Sequence, residues 1–139
     1  MYGILDISTS GLVAQRTALD VMAGNVAMKD VTRDEQGQPV PYRRRVPLFG
    51  AGNPAVGDGA VGVHVAKVVE DPSPFGLRWD PGHPDAMTEG HEAGYVRTSN
   101  VDVHTEMVNA MVAMRAYEAN VSVVEMTKAM AATSLRLMA

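Results

Sequence analysis

The sequence contains no cysteine, which excludes disulfides, thiolate zinc sites and a cysteine nucleophile. Aromatic residues are scarce: two Phe, one Trp and four Tyr stand against ten Met. A core of Ala, Val, Met and Leu suits helix–helix seams better than an aromatic-centred globule. No apolar run approaches ~18 residues, so no bilayer span is predicted. Positive charge is not in excess: 12 Lys and Arg face 16 Asp and Glu, a net −4, which removes any general pull toward nucleic acid or an acidic membrane surface. Met1-Tyr2-Gly3-Ile4-Leu5-Asp6 has no basic stretch, and Asp6 breaks its apolar start, so a cleaved secretory signal is not expected.

The chain that remains has 139 residues, 46% of them apolar and 20% charged. That suffices for one ordered domain, or a small one with extended arms. All eight prolines and ten of the thirteen glycines fall between Gly37 and Gly94. Helix is therefore expected at both ends, with turns and strands in the middle.

The C-terminal segment carries the clearest periodicity. Met107, Met114, Val121 and Leu135 recur every seven residues, with Lys128 the single polar break, and Ala110, Tyr117, Val124, Ala131 and Met138 recur three residues later. This is the pattern of a coiled-coil seam. Asp102 or Asn100 can cap its start, with Glu106 in the first turn and Arg136 in the last complementing the helix dipole. A helix from Val103 to Leu137 would be about 52 Å long, whereas a compact globule of this size is roughly 35–40 Å across. The protein is thus expected to be elongated, or its helix covered by other chains.

Leu5, Leu12, Leu19 and Val26 repeat in the N-terminal segment, with Gln15 and Met22 in the companion row. The spacing predicts a helix over Ser8–Met28, weakened by Gly11 and Gly24 at ~1 kcal/mol each and needing a partner. Between the helices, Val61, Val63 and Val65 alternate with Gly62, His64 and Ala66 as a half-buried strand. Tyr42–Phe49 and Leu77–Trp79 are further strand candidates, separated by proline and glycine turns. The fold class is α+β, with N- and C-terminal helices paired as a coiled coil around a small β-rich central module. The division expected is an N-terminal helical arm over 1–36, the β-rich module over 37–99 and the long C-terminal helix over 100–139.

Few residues suggest chemistry. Gly57-Asp58-Gly59-Ala60-Val61-Gly62 spells a dinucleotide fingerprint, yet a proline turn precedes it and a period-2 strand follows, so the helix that would hold a pyrophosphate is missing. His83, Asp85, Glu89, His91 and Glu92 cluster in a loop and invite a metal-dependent enzyme using His83, Asp85 and His91 as an alternative; no HExxH accompanies them, and a polar surface loop is the simpler account. Arg43-Arg44-Arg45 reads as salt-bridging or edge protection rather than nucleic-acid binding. Neither a GxSxG elbow nor a Ser/His/Asp framework is evident. The reading is a non-enzyme without cofactor, metal site, nucleic-acid partner or small-molecule substrate.

The residues do resemble a known family. Gly94-Tyr95-Val96, Asn100-Val101-Asp102, Glu106-Met107 and Arg115-Ala116-Tyr117-Glu118-Ala119-Asn120, together with Leu12, Ala14, Gln15, Leu19 and Asn25-Val26-Ala27, look like the end motifs of the bacterial flagellar axial proteins of rod and hook. Tyr42-Arg43-Arg44-Arg45 with Pro47 and Phe49, then Pro81-Gly82-His83-Pro84 with Ala86, and the short length resemble a proximal-rod subunit. Met28 stands where the family repeats an asparagine, and the Ala86–Gly94 loop is longer than the family's spacing. The resemblance implies a structural subunit of the proximal rod that supports motility and self-assembles through its terminal helices. It implies as partners further copies of the chain, proximal and distal rod proteins and the hook–basal-body adaptor. It also implies passage through the flagellar type III export apparatus to a periplasmic rod in the basal body. A sister proximal-rod subunit and an unrelated coiled-coil adaptor are the neighbouring readings. On the heptad stripes, Leu12, Leu19, Met22 and Val26 are expected to meet Met107, Met114, Tyr117, Val121 and Val124 at the assembly interface.

Overall fold

The computed structural model describes residues 2–52 and 61–137. The elements run α1 (Tyr2–Ala27), β1 (Arg45–Ala51), β2 (Val63–Glu70), β3 (Gly76–Trp79), β4 (Tyr95–Thr98) and α2 (Val103–Leu137). Strands β1 and β2 form one two-stranded sheet, and β3 pairs antiparallel with β4 in another, Gly76 opposite Thr98 and Trp79 opposite Tyr95. The class is α+β. No helix is long and apolar enough to cross a membrane among the described residues. Most of the glycine-rich fingerprint over 57–62 lies outside the described residues.

Helix α2 has the bounds its glycine- and proline-free composition predicts. Asp102 caps it: one carboxylate oxygen accepts from the His104 amide at 3.0 Å and the other from the Thr105 hydroxyl at 2.7 Å, satisfying donors that the first turn leaves free. Helix α1 begins at Tyr2, ahead of the expected Ser8. The serines there do not cap; Ser10 Oγ donates back to the Ile7 carbonyl at 2.7 Å, as helix-interior serines do. Strand β1 opens at Arg45 rather than Tyr42, because the Arg44 amide donates to Asn100 Oδ1 and its carbonyl accepts from the Asp71 amide. Strand β4 had no signal of its own, being four residues long and defined by its ladder with β3.

The chain groups into two compact units that both draw on the helices: Met1–Asp20 with Pro47–Val68 and Val108–Ala139, and Val21–Val46 with Val69–Met107. In the first, Ser8, Ala14, Ala18, Ala113 and Thr127 are buried. The Val63 amide donates to Ser10 Oγ at 3.0 Å, fastening β2 to α1. Gly62 adopts φ 130° directly over that hydroxyl, where a Cβ would stand 2.5 Å from Ser10 Oγ, so both the backbone angle and the space require glycine.

Gly11 marks the close approach of α1 to α2 in this unit: a Cβ there would lie 2.7 Å from Asn120 Nδ2. Alanine at this position gains ~1 kcal/mol of helix propensity but must push the Asn120 amide aside. Gly11→Leu has no such escape, and overpacking is expected to lower stability by about 2–3 kcal/mol. Gly11→Ala combined with Asn120→Ala removes the obstacle and should raise stability by up to ~1 kcal/mol. Urea unfolding of the three variants checks the order.

In the second unit, Val96 of β4 is the buried apolar centre. Trp79 meets Tyr95 edge-on at 5.0 Å between ring centroids. Gly94, with φ 85°, leaves the space the Trp79 ring fills, since a Cβ would sit 2.5 Å from it.

Candidate assembly interface

The residues predicted for the interface fall into two groups. Leu12, Leu19, Met22 and Val26 of α1, and Val121 and Val124 of α2, are half-buried. Met107, Met114 and Tyr117 are exposed, Met107 at 54% and Met114 at 52%. The buried positions are Ser8, Gly11, Ala14, Ala18 and Asn25 on α1 and Glu106, Ala113 and Thr127 on α2, all but Ser8 one residue before a member of a predicted row. Small side chains let backbones approach, which places the bulky neighbours on the flanks of the contact. Gly11, unfavourable by propensity alone, leaves room for the Asn120 side chain.

Exposed apolar residues concentrate on α2. Met107, Val108, Met111, Val112 and Met114 occupy two consecutive turns, and Met126, Met130 and Leu135 continue the exposure toward the C-terminus. On α1, Ile4, Ile7 and Val13 are exposed. Single exposed apolar residues are ordinary, whereas a contiguous set along a helix is the kind of surface that interaction sites use.

The second unit holds a buried polar cluster that the sequence did not reveal. The amide of Asn25 uses its full capacity: Oδ1 accepts from the Arg45 amide at 2.9 Å and the Tyr42 hydroxyl at 3.0 Å, while Nδ2 donates to the Arg45 carbonyl at 2.7 Å and to Glu106 Oε2 at 2.8 Å. Glu106, 1% exposed, takes Arg44 on its other oxygen, with Nε at 2.8 Å and Nη2 at 2.7 Å. Arg44 Nη1 continues to Asp71 at 3.1 Å. Asn100 completes the set, accepting from the Arg44 amide and donating to the Ser73 hydroxyl at 2.8 Å. No buried side-chain polar atom among the described residues lacks a partner.

Arginine neighbours are likewise committed within the unit. Arg43 donates to the carbonyls of Asp71 and Ser73 and lies 4.2 Å over the Phe75 ring; Arg45 stacks on Tyr42. Of the basic triplet, Arg44 forms ion pairs, while Arg43 and Arg45 engage carbonyls and aromatic rings at the strand entry.

The His/Asp loop does not gather into a metal site. Arg33 holds Asp85 at 2.6 Å and the Thr32 hydroxyl donates to it at 2.8 Å; His83 Nδ1 accepts from the Asp85 amide at 3.1 Å. Two of the three proposed ligands, His83 and Asp85, are thus engaged by the protein, and no group of three His, Cys, Asp or Glu suited to a metal ion occurs among the described residues. The enzyme alternative built on this loop has no geometric support.

Asp71 sits below the usual carboxylate range, first because the Ser73 amide and hydroxyl donate to it and then because Arg44 does. Arg33, followed by Thr32, does the same for Asp85, and Thr105 with the His104 amide for Asp102. A carboxyl held lower in the folded chain binds fewer protons there than when unfolded. Its contribution is complete above the unfolded value of about 3.9 and is lost as pH falls through the folded one. Urea midpoints should accordingly drop below about pH 4, and Asp85→Asn should flatten that acid slope.

The chain is similar to known proteins over nearly its whole length. A family model described as flagellar basal body rod FlgEFG protein C-terminal matches residues 92–137, the stretch that carries β4 and α2. The flagellar basal-body rod protein FlgC of Escherichia coli O6:H1 is 42% identical over 137 residues, covering 99% of this chain and 97% of that protein. FlgC of Bacillus subtilis strain 168 is 38% identical, covering 96% and 95%, and FlgC of Borreliella burgdorferi is 35% identical, covering 99% and 97%. With likeness spanning both terminal helices and everything between them, the chain belongs to the FlgC family of flagellar basal-body rod proteins, structural subunits of the rod and not enzymes.

Proposed function

We propose that this subunit builds the proximal part of the rod by pairing α1 with α2 as an antiparallel coiled coil and laying the outward apolar face of α2 against neighbouring subunits. The exposed run from Met107 to Met114 carries the reading, because a chain destined to remain alone would cover or charge it. The pairing is supported by two approaches, each inside its own unit: Gly11 to Asn120, and Asn25 to Glu106. As many residues separate Gly11 from Asn25 as separate Asn120 from Glu106, so one step up α1 matches one step down α2. The buried Ala18 and Ala113 fall opposite each other in that register.

The segments over 1–36 and 100–139 then act as the assembling arms, and 37–99 forms the β-rich outer module. Leu12, Leu19, Met22, Val26, Val121 and Val124 flank the seam within a subunit, while Met107, Met114 and Tyr117 reach adjoining copies and other rod proteins. Heterologous contacts of this kind repeat without closing and so generate a tube. The subunit passes through the flagellar type III export apparatus and takes its place in the periplasmic rod, where the shaft transmits torque for motility. In a strain lacking the chain, its expression should restore swimming and the protein should be recovered in detergent-washed basal bodies. Restored swimming with the chain absent from basal bodies would overturn the assignment.

A further inference from the structure

We propose that Asn25, Arg44 and Glu106 form a register latch: a buried polar set that selects the one alignment of α1 against α2 from which assembly proceeds. The inference rests on the helix pairing proposed above and assigns these three side chains a specificity role within it.

The rest of the seam discriminates alignments poorly. Its deepest members are Gly11, Ala14 and Ala18 on one helix and Ala113 and Thr127 on the other. These are small, and for Gly11, Ala18 and Thr127 the heptad spacing offers another small residue one repeat along, Ala18, Gly11 and Ser134 respectively. The flanking residues include methionines, whose flexible side chains refill whatever gap a shift creates. Burial of these residues supplies no directional contact, and beyond the displacement of the Asn120 amide it discriminates weakly between registers seven residues apart.

The polar set breaks that degeneracy because its atoms are directional. Moving α1 by one heptad so that Asn25 faces Ala113 would bring Gly11 opposite Thr127 and Ala18 opposite Asn120, whose flexible amide can swing aside. Asn25 Nδ2, however, would lose Glu106, and Glu106 would lose one of its two partners in a site 1% exposed. A buried polar group deprived of its partner is costly, and a single buried asparagine is the best attested way to fix helix register. Arg44 adds a third fixed point: its guanidinium joins Glu106 to Asp71, and its backbone amide is tied to Asn100. The aligned helices are thereby joined to the strand entry at β1 as well as to each other.

The test exploits a chain that has no native thiol. Gly11→Cys, Asn120→Cys and Thr127→Cys are introduced together. A Cβ at Gly11 would lie 3.2 Å from Asn120 Cγ, a separation a disulfide can bridge; residue 127 reports the shifted register. In a glutathione buffer that lets disulfides exchange, the ratio of 11–120 to 11–127 product is read by mass spectrometry of peptides. With the latch intact, the 11–120 product should dominate by about a hundredfold. In a background carrying Asn25→Leu, Arg44→Met and Glu106→Leu, which fills the site with apolar groups, the ratio should fall at least about tenfold while cooperative unfolding persists. Asn25→Leu alone, which leaves the Arg44–Glu106 pair in place, should fall in the same direction and decides the matter if the triple replacement does not fold. An unchanged ratio in both backgrounds overturns the latch while leaving the pairing intact. Failure to form either disulfide with the latch intact overturns the pairing itself, and the latch with it.

Discussion

Glu106→Ala is expected to lower the free energy of unfolding by about 3 kcal/mol, the lower end of what breaking a buried ion pair costs. The lower end applies because Arg44 keeps Asp71 as a partner and is itself 21% exposed. Two further losses add to it: Asn25 Nδ2 is left without its acceptor, and the glutamate side chain leaves a void. Glu106→Gln separates charge from shape, since a carboxamide retains one acceptor for either Arg44 or Asn25; a loss of about 1–2 kcal/mol is expected. Trp79 is the single tryptophan and lies in the same compact unit, so its fluorescence during urea unfolding reports the unit concerned. A Glu106→Ala variant within about 0.5 kcal/mol of the parent, the range of ordinary surface changes, would mean that the cluster is solvated and contributes little.

That cluster also shows where sequence reading ran out. Helix α2 was legible because its causes are local: no glycine or proline after Gly94, an acidic capping residue, and heptads that persist over its length. Asn25 and Glu106 are 81 residues apart, and nothing near either one signals the other. Glu106 was read as a first-turn charge suiting the helix dipole, which it is, but the stronger constraint on it is tertiary. Asn100 is the other capping candidate and does not cap; Asp102 caps the helix, and Asn100 is drawn to Arg44 and Ser73.

The seam illustrates a different difficulty. Apolar periodicity identifies rows of residues, but it does not say which of two adjacent rows lies deepest. Size decides that, since a glycine or alanine row admits a neighbouring backbone that a leucine row holds off. The row Gly11, Ala18, Asn25 carries almost no hydrophobic signal and for that reason was not selected. Strand β4 is hard to read for a related reason: a four-residue strand entered from Gly94 at positive φ owes its form to β3.

The division of the predicted interface into half-buried and exposed residues yields the sharpest functional expectation. Met114→Asp and Val112→Asp place a carboxylate where the side chain is 52% and 65% exposed respectively. In the free subunit each should change stability by less than about 0.5 kcal/mol. In the rod the same carboxylate would be enclosed against a neighbouring apolar surface without a partner, at a cost of several kcal/mol. Three kcal/mol at a repeated contact already weakens association more than a hundredfold, so incorporation into basal bodies and swimming should both be abolished. Val124→Asp is expected to differ: its position is half-buried within the subunit, so it should lower monomer stability as well as block incorporation. Comparing urea midpoints with recovery in basal bodies therefore separates residues that close the subunit from those that join subunits. Normal swimming with Met114→Asp and Val112→Asp would place this face of α2 in solvent, and the contacts that build the rod would have to lie elsewhere on the chain.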